Sequence, residues 1–117
     1  MLTNGERASY DAPMIQDPPS LTWVVLTMGN RREELASSLR SLAHESQPAN
    51  EIIVVLNDPD AEIEVPEGVR VERQASNLGI PGGRDVGLRL ARSEFVGFLD
   101  DDAQLVSPAQ AIVDLFR

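Results

Sequence analysis

The sequence predicts an α/β fold: a Rossmann-like, mostly parallel sheet with flanking helices. Three observations carry this. Strand-like and helix-like runs alternate in the order strand, helix, strand, strand, helix, strand, helix, the pattern of right-handed crossovers in a parallel sheet. Two strands, Leu21–Leu26 and Glu51–Leu56, are nearly continuously apolar, as strands covered on both faces are. Polar sequence follows three strands, at Thr27–Asn30, Asn57–Asp60 and Asp100–Asp102. In a parallel sheet those loops share the carboxyl edge, where ligands bind.

Taken in order, residues 1–20 carry Asn4-Gly5, Pro13 and Asp17-Pro18-Pro19 with little apolar periodicity. They read as a flexible arm ahead of a single domain over 21–117. Leu21–Leu26 is rich in β-branched residues and reads as a strand. Asn30 is a candidate N-cap with Glu33 as its capping-box partner. Leu35, Leu39 and Leu42 recur at helical spacing, so an amphipathic helix is expected from Arg31 to about Ser46, ending before Pro48. Arg31 and Arg32 lie in its first turn, the wrong end for the helix dipole. They are either ordinary surface residues or positive charge placed beside an anionic ligand.

Glu51–Leu56 is the second strand, closed by the Asn57–Asp60 turn. Val69–Arg73 alternates apolar and charged residues and reads as a short, partly exposed strand. Asn77–Gly83 reads as a glycine-rich loop, followed by a helix over Arg84–Arg92 with Val86 and Leu90 four apart. Phe95–Leu99 is a short apolar strand that ends in Asp100, Asp101 and Asp102. Ser107-Pro108 with Gln110 marks the start of a last helix through Ile112, Val113 and Phe116.

Composition narrows the function classes. The 117 residues are 42% hydrophobic and 25% charged, ordinary for one small globular domain. There is no cysteine, hence no disulfide, zinc thiolate or cysteine nucleophile, which fits the reducing cytoplasm as the expected location. The single His44 rules out a multi-histidine metal site and reads as a surface or boundary residue; Trp23 reads as core and Asp114 as a solvated helix residue. A net charge of -9 with no lysine argues against general nucleic-acid binding. No apolar run approaches the roughly 20 residues that span a bilayer, and the N-terminus lacks a signal-peptide pattern.

Three adjacent carboxylates cannot be buried unpaired, because desolvating each costs several kcal/mol or forces protonation. They must face water, basic groups or a cation, and hard oxygen ligands suit Mg²⁺ or Mn²⁺. Alone, Asp100–Asp102 is a solvated acidic turn. Alone, the glycine-rich loop is a plain connection, and no Gly-Lys-Ser/Thr makes it a Walker sequence. Together on one edge they read as a site. Backbone N–H groups of Gly79–Gly83 can meet an anion, Arg84 offers a fork suited to phosphate, and a metal on Asp102 would complete a diphosphate clamp.

The same residues resemble the N-terminal half of family 2 glycosyltransferases, which have the GT-A fold. Val24-Val25-Leu26-Thr27-Met28-Gly29-Asn30-Arg31 is similar to that family's first strand and its Pro-Thr-Tyr-Asn-Arg turn. Leu35, Leu39 and Ser41-Leu42 are similar to its first helix, and Glu51–Val55 to its second strand. Asn77, Gly79, Gly83-Arg84-Asp85 and Gly87 follow its Asn-x-Gly…Ala-Arg-Asn-x-Gly pattern, and Phe98–Asp102 its strand ending in Asp-x-Asp. The resemblance covers about Leu21 to Arg117. Met28 stands in place of the usual Tyr, Asp85 in place of Asn, and Leu56 in place of the Asp that reads the base, a role Asn57 or Asp58 would have to fill.

The resemblance implies an inverting sugar transfer from a nucleotide-diphosphate sugar, assisted by Mn²⁺ or Mg²⁺. On it, Thr27, Asn57 and Asp58 would lie near the base and Arg84 near the diphosphate. Asp100 and Asp101 would reach the ribose or the ion, and Asp102 would ligate the ion. The acceptor, a glycan, lipid or small molecule, is not implied. The family's second half carries the acceptor site and the catalytic base, so no base is expected among these residues, and the chain reads as a donor-binding half that ends one helix after its Asp-x-Asp strand. Other readings are a non-catalytic nucleotide-sugar-binding remnant and a nucleotidyltransferase. The latter would call for a glycine- and lysine-rich loop after the first strand, and Thr27–Arg32 has one glycine and no lysine.

Overall fold

The computed structural model describes residues 21–45, 51–106 and 114. The expected N-terminal arm and all but one residue of the expected last helix lie outside them; Asp114 is helical and exposed. The elements are β1 (Leu21–Thr27), α1 (Arg32–Glu45), β2 (Glu51–Leu56), β3 (Arg70–Arg73), α2 (Gly79–Leu90) and β4 (Phe95–Asp100). The four strands form one sheet in the order β3-β2-β1-β4, and every pairing is parallel. The α/β fold predicted from the sequence is the fold observed.

Alternation along the strands sorts the core into two layers. Leu21, Trp23 and Val25 of β1 join Ile52 and Val54 beneath Leu35, Leu39 and Leu42 of α1. Val24 joins Ile53 and Val55 on the opposite face, with Leu26, Val86, Leu90 and Val96 packed against them. Each helix thus covers one face of the sheet. β1, central and covered twice, is buried at every position except Leu26, which explains its lack of apolar/polar alternation. Trp23 is core, as expected; among the described residues its indole N–H has no partner.

Two boundary differences bear on the site; the other element ends shift from expectation by no more than two residues. α1 begins at Arg32, and the Arg31 carbonyl accepts the first helical bond from the Leu35 N–H at 2.9 Å. Arg31 therefore holds the N-cap position that Asn30 was expected to hold. More substantially, the Gly79–Gly83 stretch is not a loop; it forms the opening of α2. The reason is packing. A Cβ at Gly83 would overlap the Leu26 side chain, and one at Gly87 would overlap the Val24 methyls. Glycine at these positions, one turn apart, lets the helix backbone rest on the sheet. Pro81 is tolerated because the first helical turn has no intrahelical partner for its N–H.

The strand order reverses at β1: the chain winds outward through β2 and β3, then returns to place β4 on the other side. The crevice outside the carboxyl ends of β1 and β4 is the expected ligand site of such a sheet.

Candidate functional site

A cleft of about 560 Å³ opens at that crevice, within the usual range for small-molecule sites. Thr27, Asn57, Arg84, Asp100, Asp101 and Asp102 all line it. The register explains why. Asp100 pairs with Leu26 across β4 and β1, and Thr27 pairs with Leu56 across β1 and β2. The ends of three strands thus bring the acids, Thr27 and Asn57 to one edge. Asp58 is not among the lining residues; its carboxylate accepts the Asp60 and Ala61 N–H groups at 2.8 and 3.2 Å and shapes the turn after β2.

The three acids occupy three environments. Asp101 is buried, its side chain 6% exposed. One carboxylate oxygen accepts the Thr27 hydroxyl at 2.8 Å; the other accepts Arg31 Nη2 at 2.6 Å. The same Thr27 oxygen accepts the Gly29 N–H at 3.0 Å, which fixes the turn after β1, where Gly29 has a positive φ of 77° that glycine adopts at no steric cost. Asp102 is half exposed, and one of its oxygens accepts Arg31 Nη1 at 3.0 Å. Asp100 is the most exposed and lies 3.7 Å from Arg84 Nη2. Asp100, the last residue of β4, faces Arg84 of α2, and Asp101, in the turn that follows, faces Arg31 at the start of α1, so these two acids meet arginines from opposite faces of the sheet. Arg84 also lies over the Phe98 ring, 5.5 Å from its centroid, a cation–π contact that orients its fork toward the acids.

The second wall is neutral. The Asn57 side chain is buried. Its amide donates to Asn77 Oδ1 at 3.0 Å and to the Gly79 carbonyl at 3.1 Å, and its oxygen accepts the Leu78 N–H at 2.9 Å. Asn77 in turn accepts the Gly79 N–H at 2.8 Å. Asn57 thus pins the entrance of α2 to the end of β2. The segment after the acids is tied to α1 by a row of serines. Ser38 donates to the Ala103 carbonyl, Ser41 accepts the Leu105 N–H at 2.9 Å, and Ser37 meets the Gln104 amide at 2.6 Å.

Two lining residues, Arg31 and Asn77, gain a definite role only in the structure. The sequence allows Arg31 to be a surface residue or the partner of an anionic ligand; in the structure its anions are the protein's own acids. Asn77 was noted only as part of a motif; its spacing of two from Gly79 is the signal of an Asx turn. Among the described residues no group of three His, Cys, Asp or Glu side chains is gathered closely enough to enclose an ion. The oxygen donors present fit a hard cation held by one or two carboxylates and completed by ligand phosphates and water.

Comparison with known proteins agrees with this geometry. The chain matches the description "Glycosyl transferase family 2" over residues 23–107. No match was found among curated proteins. Among solved structures, S. aureus TarS superposes with a TM-score of 0.64 at 25% identity, over 83% of this chain and 19% of TarS. A TarS 1-349 structure and the same form in complex with UDP each give 0.65 at 24% identity, over 83% of this chain and 32% and 31% of theirs. The chain thus spans under a third of the length of these structures. No helix among the described residues is long and apolar enough to cross a membrane. The match over most of the sequence, on a parallel sheet whose carboxyl edge gathers the motif residues into one cleft, assigns this chain to glycosyl transferase family 2.

Proposed function

We propose that the cleft binds a nucleotide-diphosphate sugar together with Mn²⁺ or Mg²⁺, as the donor side of an inverting glycosyl transfer. The observation that carries this reading is the convergence of Asp102, Arg84, Thr27 and Asn57, from separate elements, on one cleft at the carboxyl edge. The UDP bound to a structure of the same fold supports a uridine or related nucleotide. Asp102, half exposed and with an oxygen to spare, is the carboxylate to hold the cation, with Asp100 lining the same cleft. Arg84 faces the diphosphate from α2. Thr27 and Asn57 shape the floor against which the nucleoside lies.

The cation's chemistry is to stabilise charge on the departing diphosphate. The chain's own residues orient the donor. Asp101, closed in by Thr27 and Arg31, fixes the turn that aims Asp102, and Arg84 adds a positive fork on the leaving-group side. An acceptor hydroxyl, losing its proton to a carboxylate, attacks the anomeric carbon from the face opposite the phosphate oxygen. The bond from carbon to that oxygen breaks, and the nucleoside diphosphate leaves. No acid of this cleft is assigned as the base.

The test is a thermal-shift series with UDP, GDP and TDP, each with Mn²⁺. Ligand at a hundred times its Kd adds about 2.7 kcal/mol, so a clear rise in Tm is expected for one nucleotide, lost in Asp102→Ala. No rise with any nucleotide would overturn the reading.

A further inference from the structure

Arg31, at the N-cap of α1, stands where positive charge is electrostatically misplaced, since the amino end of a helix is positive. Its fork spans two successive carboxylates, with Nη2 on buried Asp101 at 2.6 Å and Nη1 on half-exposed Asp102 at 3.0 Å. Its own side chain is 51% exposed and lines the cleft. The two contacts differ in kind. Asp101 already has a donor on each oxygen and is buried, so the Arg31–Asp101 contact belongs to the fold. The Asp102 contact lies at the cleft surface and engages a single oxygen. A divalent cation approaching Asp102 meets a guanidinium already there.

We propose that Arg31 is a positioning residue that holds the cation's place on Asp102 in the free protein and transfers its outer nitrogen to a donor phosphate when cation and nucleotide enter together. This deepens the donor-site reading and rests on it. The charge balance favours the exchange. Three carboxylates and two guanidiniums, those of Arg31 and Arg84, leave the free site with one excess negative charge. A divalent cation alone would invert that sign beside Arg31, whereas a cation accompanied by a doubly charged diphosphate ester restores it. The arginine fork suits the exchange, because one nitrogen can stay on Asp101 as a pivot while the other changes partner. A lysine has no second arm to do so.

The test measures two affinities with opposite expected signs. Mn²⁺ alone is titrated against the chain and its free fraction read by electron paramagnetic resonance; UDP is then titrated at saturating Mn²⁺. Arg31→Gln is expected to bind Mn²⁺ alone about three- to tenfold tighter, since it removes a nearby like charge that solvent only partly screens. The same variant is expected to bind UDP with Mn²⁺ more weakly by a similar factor. A purely structural role would weaken both. Arg31→Lys, whose single ammonium satisfies Asp101 and releases Asp102 but keeps the charge, is expected to tighten Mn²⁺ by less than Arg31→Gln and to weaken UDP with Mn²⁺ by a similar factor, and it decides the matter if Arg31→Gln does not fold. Unchanged or weaker Mn²⁺ binding in the folded variant, with UDP and Mn²⁺ still binding the unaltered chain, would overturn the role of Arg31 and leave the donor site standing. Failure of the unaltered chain to bind UDP with Mn²⁺ would overturn both.

Discussion

The two ends of β1 carry nearly the same cluster. At the amino end, Glu51 is a largely buried carboxylate that accepts the Thr22 hydroxyl at 2.9 Å and Arg92 Nε at 3.0 Å. At the carboxyl end, Asp101 is a buried carboxylate that accepts the Thr27 hydroxyl at 2.8 Å and Arg31 Nη2 at 2.6 Å. Acid, threonine and half-exposed arginine recur at both ends. The difference is that the carboxyl-end arginine is shared with a second, half-exposed acid, Asp102, and that a cleft opens beside it with Arg84 and Asn57 on its other side. A buried acid–threonine–arginine cluster is therefore a way to close the end of a strand. What makes a candidate site is the extra carboxylate left partly in solvent, at the edge where the strand order reverses.

Four variants break or sharpen that contrast. The largest loss of stability is expected from Asn57→Ala. It removes three hydrogen bonds between the end of β2 and the entrance of α2, for about 3 kcal/mol at roughly 1 kcal/mol each, read by urea denaturation. Asp101→Ala should follow at about 2 kcal/mol, because Thr27 and Arg31 lose their shared acceptor, and UDP binding with Mn²⁺ should fall with it. Glu51→Ala should cost a similar amount, about 2 kcal/mol, yet leave UDP affinity unchanged. Equal binding losses in the two acid variants, measured by calorimetry on folded protein, would erase the distinction between the ends. The smallest effect on stability is expected from Arg84→Ala. Its contact with Asp100 is 3.7 Å long and exposed on both sides, worth under about 0.5 kcal/mol. Its effect should appear instead in UDP affinity with Mn²⁺, about tenfold weaker on losing a charge-assisted contact to phosphate.

The strands and the shared edge were legible in the sequence because burial on both faces leaves continuous apolar runs, and because in a parallel sheet the position of a loop follows from the strand before it. Phe95–Leu99 with its acids and Glu51–Leu56 with Asn57 needed nothing from elsewhere in the chain. The start of α2 was hidden for the opposite reason. Gly79, Pro81, Gly82 and Gly83 look like a loop locally, and the helix they open rests on the sheet through Gly83 beside Leu26 and Gly87 beside Val24, contacts far away in sequence. Arg31 was hidden the same way: locally it opposes the helix dipole, and the acids that resolve the conflict lie 70 and 71 positions further on. The amide of Asn57 was readable as polar and well placed, but its bonds to Leu78, Asn77 and Gly79 exist only once β2 and α2 are assembled.

The most direct test of the account is a crystal of this chain grown with UDP and Mn²⁺, with the ion located by its anomalous scattering. One ion is expected in contact with both an Asp102 carboxylate oxygen and the diphosphate, with Arg84 on the phosphates and the nucleoside in the cleft between β1 and α2. An ion bound away from Asp102, or a nucleotide outside the carboxyl edge of the sheet, would contradict it.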